Sequence, residues 1–179
     1  MKTEELSKND ELSILETRAK ILAQESKKEI ADRKYIDVIQ FRLSSELYAI
    51  ESKYVKEALP LKDFTPLPGI PSFILGVVNV RGKILSIMNL KKFFDLPGND
   101  LGELNKLIII RNVNMRFAIL ADEIIGITKI DEEDIQLTIP TLEGYKEKHI
   151  KGITKDCVVV LDGEKLLSDK KCIVYEEVN

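Results

Sequence analysis

One histidine, two cysteines and one run of four acidic residues are the side chains in this 179-residue chain best suited to a reactive or metal-binding centre. His149 stands at the end of the polar stretch Glu143–Lys148. No Ser-His-Asp or Cys-His set can be built without it, and no neighbour in sequence would orient it as a base. It could accept a phosphoryl group; a solvated loop histidine is the expectation. Asp131-Glu132-Glu133-Asp134 lacks the alternating ligand spacing and the glycine of a calcium loop, so a solvated acidic turn is expected, with no metal. Cys157 and Cys172 form no CxxC pair and are expected as buried free thiols in a reducing cytoplasm, a disulfide being the alternative. Neither GxxxxGK[ST] nor GxGxxG occurs, so no phosphate loop is present. These absences point away from an enzyme and from any cofactor, leaving a small hydrolase as a remote alternative.

The chemistry that remains is recognition. In the segment from Leu67 to Leu85, Pro68 and Pro71 set a stiff entry and Phe73-Ile74-Leu75 supplies an apolar anchor. Gly76 allows close backbone approach at a strand start. Gly82 permits the positive φ of a hairpin turn. Arg81 is thereby placed on a β-turn, where its planar fork of donors suits carboxylates and carbonyls. Arginine is enriched among interface hot spots. On these grounds alone the position serves either an interface or an ordinary solvated turn.

The elements that must position this turn are mostly strands. Residues 1–34 contain no Gly, Pro or aromatic residue, and Leu12, Leu15, Ala19 and Leu22 fall on one helical face. The seam stops at Ser26 and Glu29, and two heptads are marginal alone. The helix packs on its own domain, extends from it, or binds a partner. From Tyr35 the period becomes two: Ile39, Phe41 and Leu43 share one face, Ser44-Ser45-Glu46 turns, and Leu47–Ile50 returns. A short polar helical turn is predicted over Glu51–Ala58. Gly76–Val80 and Lys83–Asn89 form a hairpin, Leu90–Phe94 a helical turn, and Leu96–Asp100 a loop.

The layout then repeats. Phe41, Tyr48 and Val55 correspond to Ile110, Phe117 and Ile124, all at an offset of 69. Gly76-Val77 resembles Gly152-Ile153. Met88-Asn89 resembles Leu161-Asp162. Short antiparallel strands with edges to protect close readily into small barrels. The expected architecture is therefore mainly β: two small β-barrel subdomains side by side, at about 35–95 and 104–168, behind a helical extension at 1–34. A C-terminal return to the first subdomain is left open within the 35–179 domain.

Lys plus Arg is 27 against 30 for Asp plus Glu, a net charge of −3, which disfavours a general phosphate-backbone binder. The chain has no Trp, and most Phe and Tyr fall at core-like positions, so no nucleic-acid partner is expected. Met1–Asp10 is charged, unlike a signal peptide. Apolar runs such as Cys157–Leu161 are far shorter than the ~20 residues that span a bilayer. A cytoplasmic protein without direct membrane insertion is expected.

Gly76-Val77-Val78-Asn79-Val80-Arg81-Gly82 resembles the signature hairpin of the CheW coupling proteins, with Val80 in place of the usual leucine. Met88-Asn89-Leu90 is similar to the hydrophobic-Asp-Leu step that follows, with Asn89 in place of the aspartate. Phe117–Ile124, Ile150–Ile153 and Val158–Leu167 resemble later motifs of that family, so the likeness runs from about Tyr35 to Ser168. It implies two five-stranded barrels and a non-catalytic adaptor. Such an adaptor joins the cytoplasmic tips of methyl-accepting chemoreceptors to the regulatory domain of a CheA-type histidine kinase. The regulatory domain of a kinase, or an adaptor in a two-component pathway not controlling motility, is the alternative. Carried over by position, Arg81, Glu57 and Ile127 are expected at the receptor, and Val55, Gly76 and Gly82 at the kinase, with the two glycines acting there directly or by shaping the fold. An isolated monomer, peripheral to receptor arrays through protein contacts, is expected.

Overall fold

A computed structural model describes residues 33–97, 105–136 and 147–169. The helix expected within 1–34, the end of the loop at 96–100, Cys172 and the C-terminal return lie outside the described residues. Ten strands carry the chain: β1 (Tyr35–Leu43), β2 (Glu46–Glu51), β3 (Val55–Pro60), β4 (Ile74–Val80), β5 (Lys83–Asn89), β6 (Lys106–Arg111), β7 (Arg116–Ala121), β8 (Glu123–Asp131), β9 (Ile150–Ile153) and β10 (Val158–Leu161). Two short helices follow β5 and β10: α1 (Leu90–Phe93) and α2 (Gly163–Ser168). Asn89 Oδ1 accepts from Lys91 N (3.0 Å) and caps α1; Asp162 Oδ1 accepts from Lys165 N (3.0 Å) and caps α2. The pairing of Met88-Asn89 with Leu161-Asp162 thus marks two equivalent helix starts. All of these elements lie in the compact unit Tyr35–Asn179.

The polar turn expected over Glu51–Ala58 is shorter than its composition suggested. Only Ser52–Tyr54 form a 3₁₀ turn, and Val55–Pro60 continue as β3. Val55, Glu57 and Leu59 are half-buried while Lys56, Ala58 and Pro60 are exposed, and this one-sided alternation makes a strand of a segment that reads as polar.

The strands form two five-stranded sheets, ordered β8-β1-β2-β10-β9 and β3-β6-β7-β5-β4. The halves expected at 35–95 and 104–168 do not each own a sheet. Hairpin β1–β2 lies between β8 and β10 of the second half, and hairpin β6–β7 lies between β3 and β5 of the first. Ser52–Tyr54 carries the chain from β2 into β3 and the single bend at Asp122 carries it from β7 into β8, so each of these strands enters the other sheet. The repeat itself is present in the register. Phe41 pairs with Tyr48 and Ile110 with Phe117. Each exchanged hairpin meets its edge strand at a one-residue bulge, expelling Lys56 in one sheet and Ile125 in the other.

Exchange explains the burial. In β6 and β7, Leu107, Ile109, Ala118 and Leu120 line the inside of their own sheet, whereas Ile108, Ile110, Phe117 and Ile119 face a core shared with the other sheet. In the other sheet Ala49 and Val160 lie inside, and Phe41, Tyr48 and Ile50 turn to the shared core. Strands buried on both faces read as continuous apolar runs, which is how Leu107–Ile110 and Phe117–Ala121 read.

The expected closure into barrels is not found: each five-stranded sheet is open. No ladder joins β3 to β4 or β8 to β9. Among the described residues the backbone crosses each seam at one point instead. Thr65 exchanges two backbone hydrogen bonds with Val77 (2.8 and 2.9 Å), and Gln136 does the same with Ile153 (both 2.9 Å). At both points the crossing backbone occupies the space of a side chain. A Cβ on Gly76 would lie 2.2 Å from Thr65 O, and one on Gly152 would lie 2.5 Å from Gln136 O.

Candidate functional site

The register Val80↔Lys83 leaves Arg81-Gly82 as the whole β4–β5 turn. Arg81 has φ 53° and Gly82 φ 80°. Both central residues with positive φ define a type I′ turn, whose twist matches the flanking strands. The sequence pointed to this conformation at Gly82; Arg81 shares it. Asn79 Oδ1 accepts from Gly82 N at 2.9 Å and braces the loop from within its own strand. An Asn three residues before Gly was the signal for this brace.

Arg81 is mostly exposed, yet its Nη2 lies 2.9 Å from Glu57 Oε2 on β3. The glutamate side chain is only 19% exposed, so its carboxylate is fixed by its surroundings while the guanidinium remains reachable. Lys56 Nζ is 3.8 Å from the same carboxylate. This ion pair and the Thr65–Val77 bridge both span the seam between β3 and β4. A cleft of about 680 Å³ lies there, with Leu59, Phe64, Val78 and Val80 among its apolar walls and Lys62 and Asp63 exposed at its margin.

The structure therefore brings Arg81 and Glu57 into contact. Gly82 belongs to the same turn, and a Cβ there would meet nothing within 4 Å. Val55 begins β3 opposite Ile110, packed at the margin of the shared core. Gly76 stands farther along β4, under the Thr65 crossing. Ile127 is on the other sheet, opposite Ile39, and is 73% exposed on edge strand β8. The pairing of Arg81 with Glu57 could not be read from residue types, because it depends on strands that are not hydrogen-bonded to each other.

His149 is not the solvated loop residue expected. It is 0% exposed, edge-on to Phe93 at 5.1 Å, with Nε2 2.6 Å from Asp169 Oδ2. The cause is the 3₁₀ turn Glu147–His149 feeding directly into β9, whose His149 carbonyl accepts from Asp162 N (2.8 Å). A histidine sealed from solvent, even with a carboxylate beside it, cannot reach a substrate. Cys157 was expected buried and is exposed, held at φ 60° in the turn between β9 and β10. In the acidic run, Asp131 is buried and accepts from Glu133 N (3.0 Å), capping the 3₁₀ turn Glu132–Asp134. Glu132 and Asp134 are paired with Lys151 and Lys155. Among the described residues no three His, Cys, Asp or Glu side chains could hold a metal, and no helix is long and apolar enough to cross a membrane.

Residues 37–171 match the family model described as CheW-like domain. The chain is 30% identical over 141 residues to the chemotaxis protein CheW of Treponema pallidum, covering 75% of this chain and 83% of that one. It is 26% identical over 144 residues to the chemotaxis protein CheW of Thermotoga maritima, covering 79% and 95%. Its fold is similar to the crystal structure of the scaffolding protein TtCheW from Thermoanaerobacter tengcongensis, with a TM-score of 0.66 and 24% identity over 77% of this chain and 91% of that one.

Proposed function

Because the chain belongs to the CheW-like domain family of chemotaxis adaptors, we propose that it couples the cytoplasmic tips of methyl-accepting chemoreceptors to the regulatory domain of a CheA-type histidine kinase, without catalysis of its own. The observation that carries this reading is Arg81: an exposed guanidinium on a type I′ turn, steadied by Glu57 at the mouth of a partly apolar cleft. A donor fork that is already positioned loses little side-chain freedom on binding, which favours affinity. In this reading Arg81, Glu57 and the exposed Ile127 meet the receptor, while Val55, Gly76 and Gly82 serve the kinase surface. Gly76 acts there through the Thr65 crossing, which any side chain would displace. Gly82 acts by holding the turn. Residues 35–179 are the adaptor domain, 1–34 an extension, and the protein is cytoplasmic and monomeric when isolated, reaching the membrane only through its receptor.

The test is reconstitution. The purified chain is titrated calorimetrically with a CheA-type regulatory domain, with a chemoreceptor cytoplasmic fragment, and with each in the presence of the other. Binding of both at separable sites is expected, with affinities no weaker than about tens of micromolar. Absence of both interactions at that level overturns the proposal.

A further inference from the structure

The repeat supplies an internal comparison at the hairpin ends. In the β1–β2 hairpin, Arg42 on β1 pairs with Glu123 on β8, Nε to Oε2 3.2 Å. At the offset of 69 that relates the halves, Arg42 corresponds to Arg111 and Glu123 to Tyr54. The arginine is retained and its acid is not. The Tyr54 ring is turned against Gly163, where a Cβ would lie 2.4 Å from it, and beneath the Lys53 ammonium at 4.9 Å.

The residue directly across from Arg111 is a second arginine, Arg116. Facing residues of an antiparallel pair share one side of the sheet, and like charges so placed destabilise it. Neither arginine has an acidic partner among the described residues, and Arg116 Nε is a buried donor with no protein acceptor. The turn between them is stiff: Asn112 Oδ1 accepts from both Asn114 N (2.9 Å) and Met115 N (2.7 Å). At its tip Val113 is 99% exposed.

We infer that the end of the β6–β7 hairpin is a docking site for an acidic, partly apolar segment of a protein partner, whose carboxylate is held by Arg111 and Arg116 while an apolar neighbour packs on Val113. Charge complementarity commits the site to an anion. The Arg42–Glu123 pair shows the group that the same position takes in the other half, a carboxylate presented from an adjoining strand. Guanidinium–carboxylate bonds are among the stronger hydrogen bonds a protein makes, and an exposed apolar tip beside them favours a peptide over a bare ion. The site lies on strands apart from Arg81 and does not depend on the chemoreceptor and kinase assignments.

The probe is a blocked tetrapeptide, acetyl-Leu-Glu-Glu-Leu-amide, titrated into the ¹⁵N-labelled full chain while the arginine Nε–Hε resonances are followed. Its glutamine counterpart and inorganic phosphate are run in parallel. Saturable movement of the Arg116 resonance is expected with the glutamate peptide, at least about tenfold weaker with the glutamine peptide and with phosphate. Arg111→Gln, which alters an exposed side chain, should weaken the glutamate peptide by roughly tenfold and leave the thermal transition in place. No saturable movement, equal binding of the glutamine peptide, phosphate binding as tightly as the glutamate peptide, or an unchanged affinity in folded Arg111→Gln would each overturn the inference.

Discussion

Arg81 Nη2 stands 2.9 Å from Glu57 Oε2 across a seam where the backbones of β4 and β3 are not bonded. The pair is the side-chain counterpart of the Thr65–Val77 backbone bridge on the same seam. With the arginine mostly exposed, its worth to stability is that of a surface ion pair, about 0.2–1 kcal/mol. Arg81→Ala should therefore move the melting temperature by no more than a few degrees.

Its effect on binding should be larger. Loss of a partly desolvated charged donor costs about 1.5–3 kcal/mol, or roughly tenfold to hundredfold in affinity. Arg81→Ala should weaken a chemoreceptor cytoplasmic fragment on that scale, Arg81→Glu more, and a kinase regulatory domain less. Paired titrations of both partners against wild type and variants measure this; unchanged receptor affinity in folded Arg81→Glu removes Arg81 from the site.

Gly76 and Gly82 should separate under the same substitution. Gly82→Ala adds a methyl into open space and costs only the left-handed φ, about 1–2 kcal/mol. Gly76→Ala drives a methyl to 2.2 Å from Thr65 O and must break the seam bridge. The expected loss is larger, about 3 kcal/mol or more, since clash, strain and two backbone bonds fall together. Gly152→Ala should behave like Gly76→Ala. Urea unfolding midpoints of the three variants decide it; similar midpoints for Gly76→Ala and Gly82→Ala contradict the bridge argument.

His149→Ala should destabilise without touching the Arg81 surface. The variant empties a fully buried site beside Phe93 and leaves the Asp169 carboxylate without its 2.6 Å partner. A loss of about 2–4 kcal/mol is expected in denaturant melts. Wild-type stability in the variant would show that the histidine contributes nothing to the shared core.

A chain beginning at Tyr35 should unfold cooperatively, because every described strand and both helices begin at or after that residue. Calorimetric and spectroscopic melts of the 35–179 fragment test it. Loss of the cooperative transition would assign residues 1–34 to the core.

Period-two alternation and the turn residues made the hairpins legible: β1–β2 and β4–β5 lie within a residue or two of where Phe41, Ser44-Ser45 and Arg81-Gly82 put them. The offset of 69 was legible because Phe41–Tyr48 and Ile110–Phe117 are the same cross-strand pair twice. Sheet membership was not. Alternation records which face of a strand is buried, not which strand lies beside it, and Ser52–Tyr54 carries no mark of its crossing. His149 was misread for a related reason. Its polar neighbours on the N-terminal side outweighed Ile150, and a carboxylate 20 residues away cannot be seen from local composition.

The exchanged hairpins bear on how such a chain arose and how it must fold. Two copies of a strand-hairpin-helix unit that trade hairpins form a domain-swapped homodimer, and here the two copies are consecutive stretches of one polypeptide. Val160 of β10 joins Ala49 of β2 and Ile87 of β5 joins Ala118 of β7, both in parallel. Neither sheet can be completed until both copies have been synthesised, and contacts so distant along the chain slow folding. A break in the backbone between the copies would leave two fragments, each with an unpaired apolar hairpin and a gap that fits only the other's, so the pair should reassemble by complementation rather than fold apart.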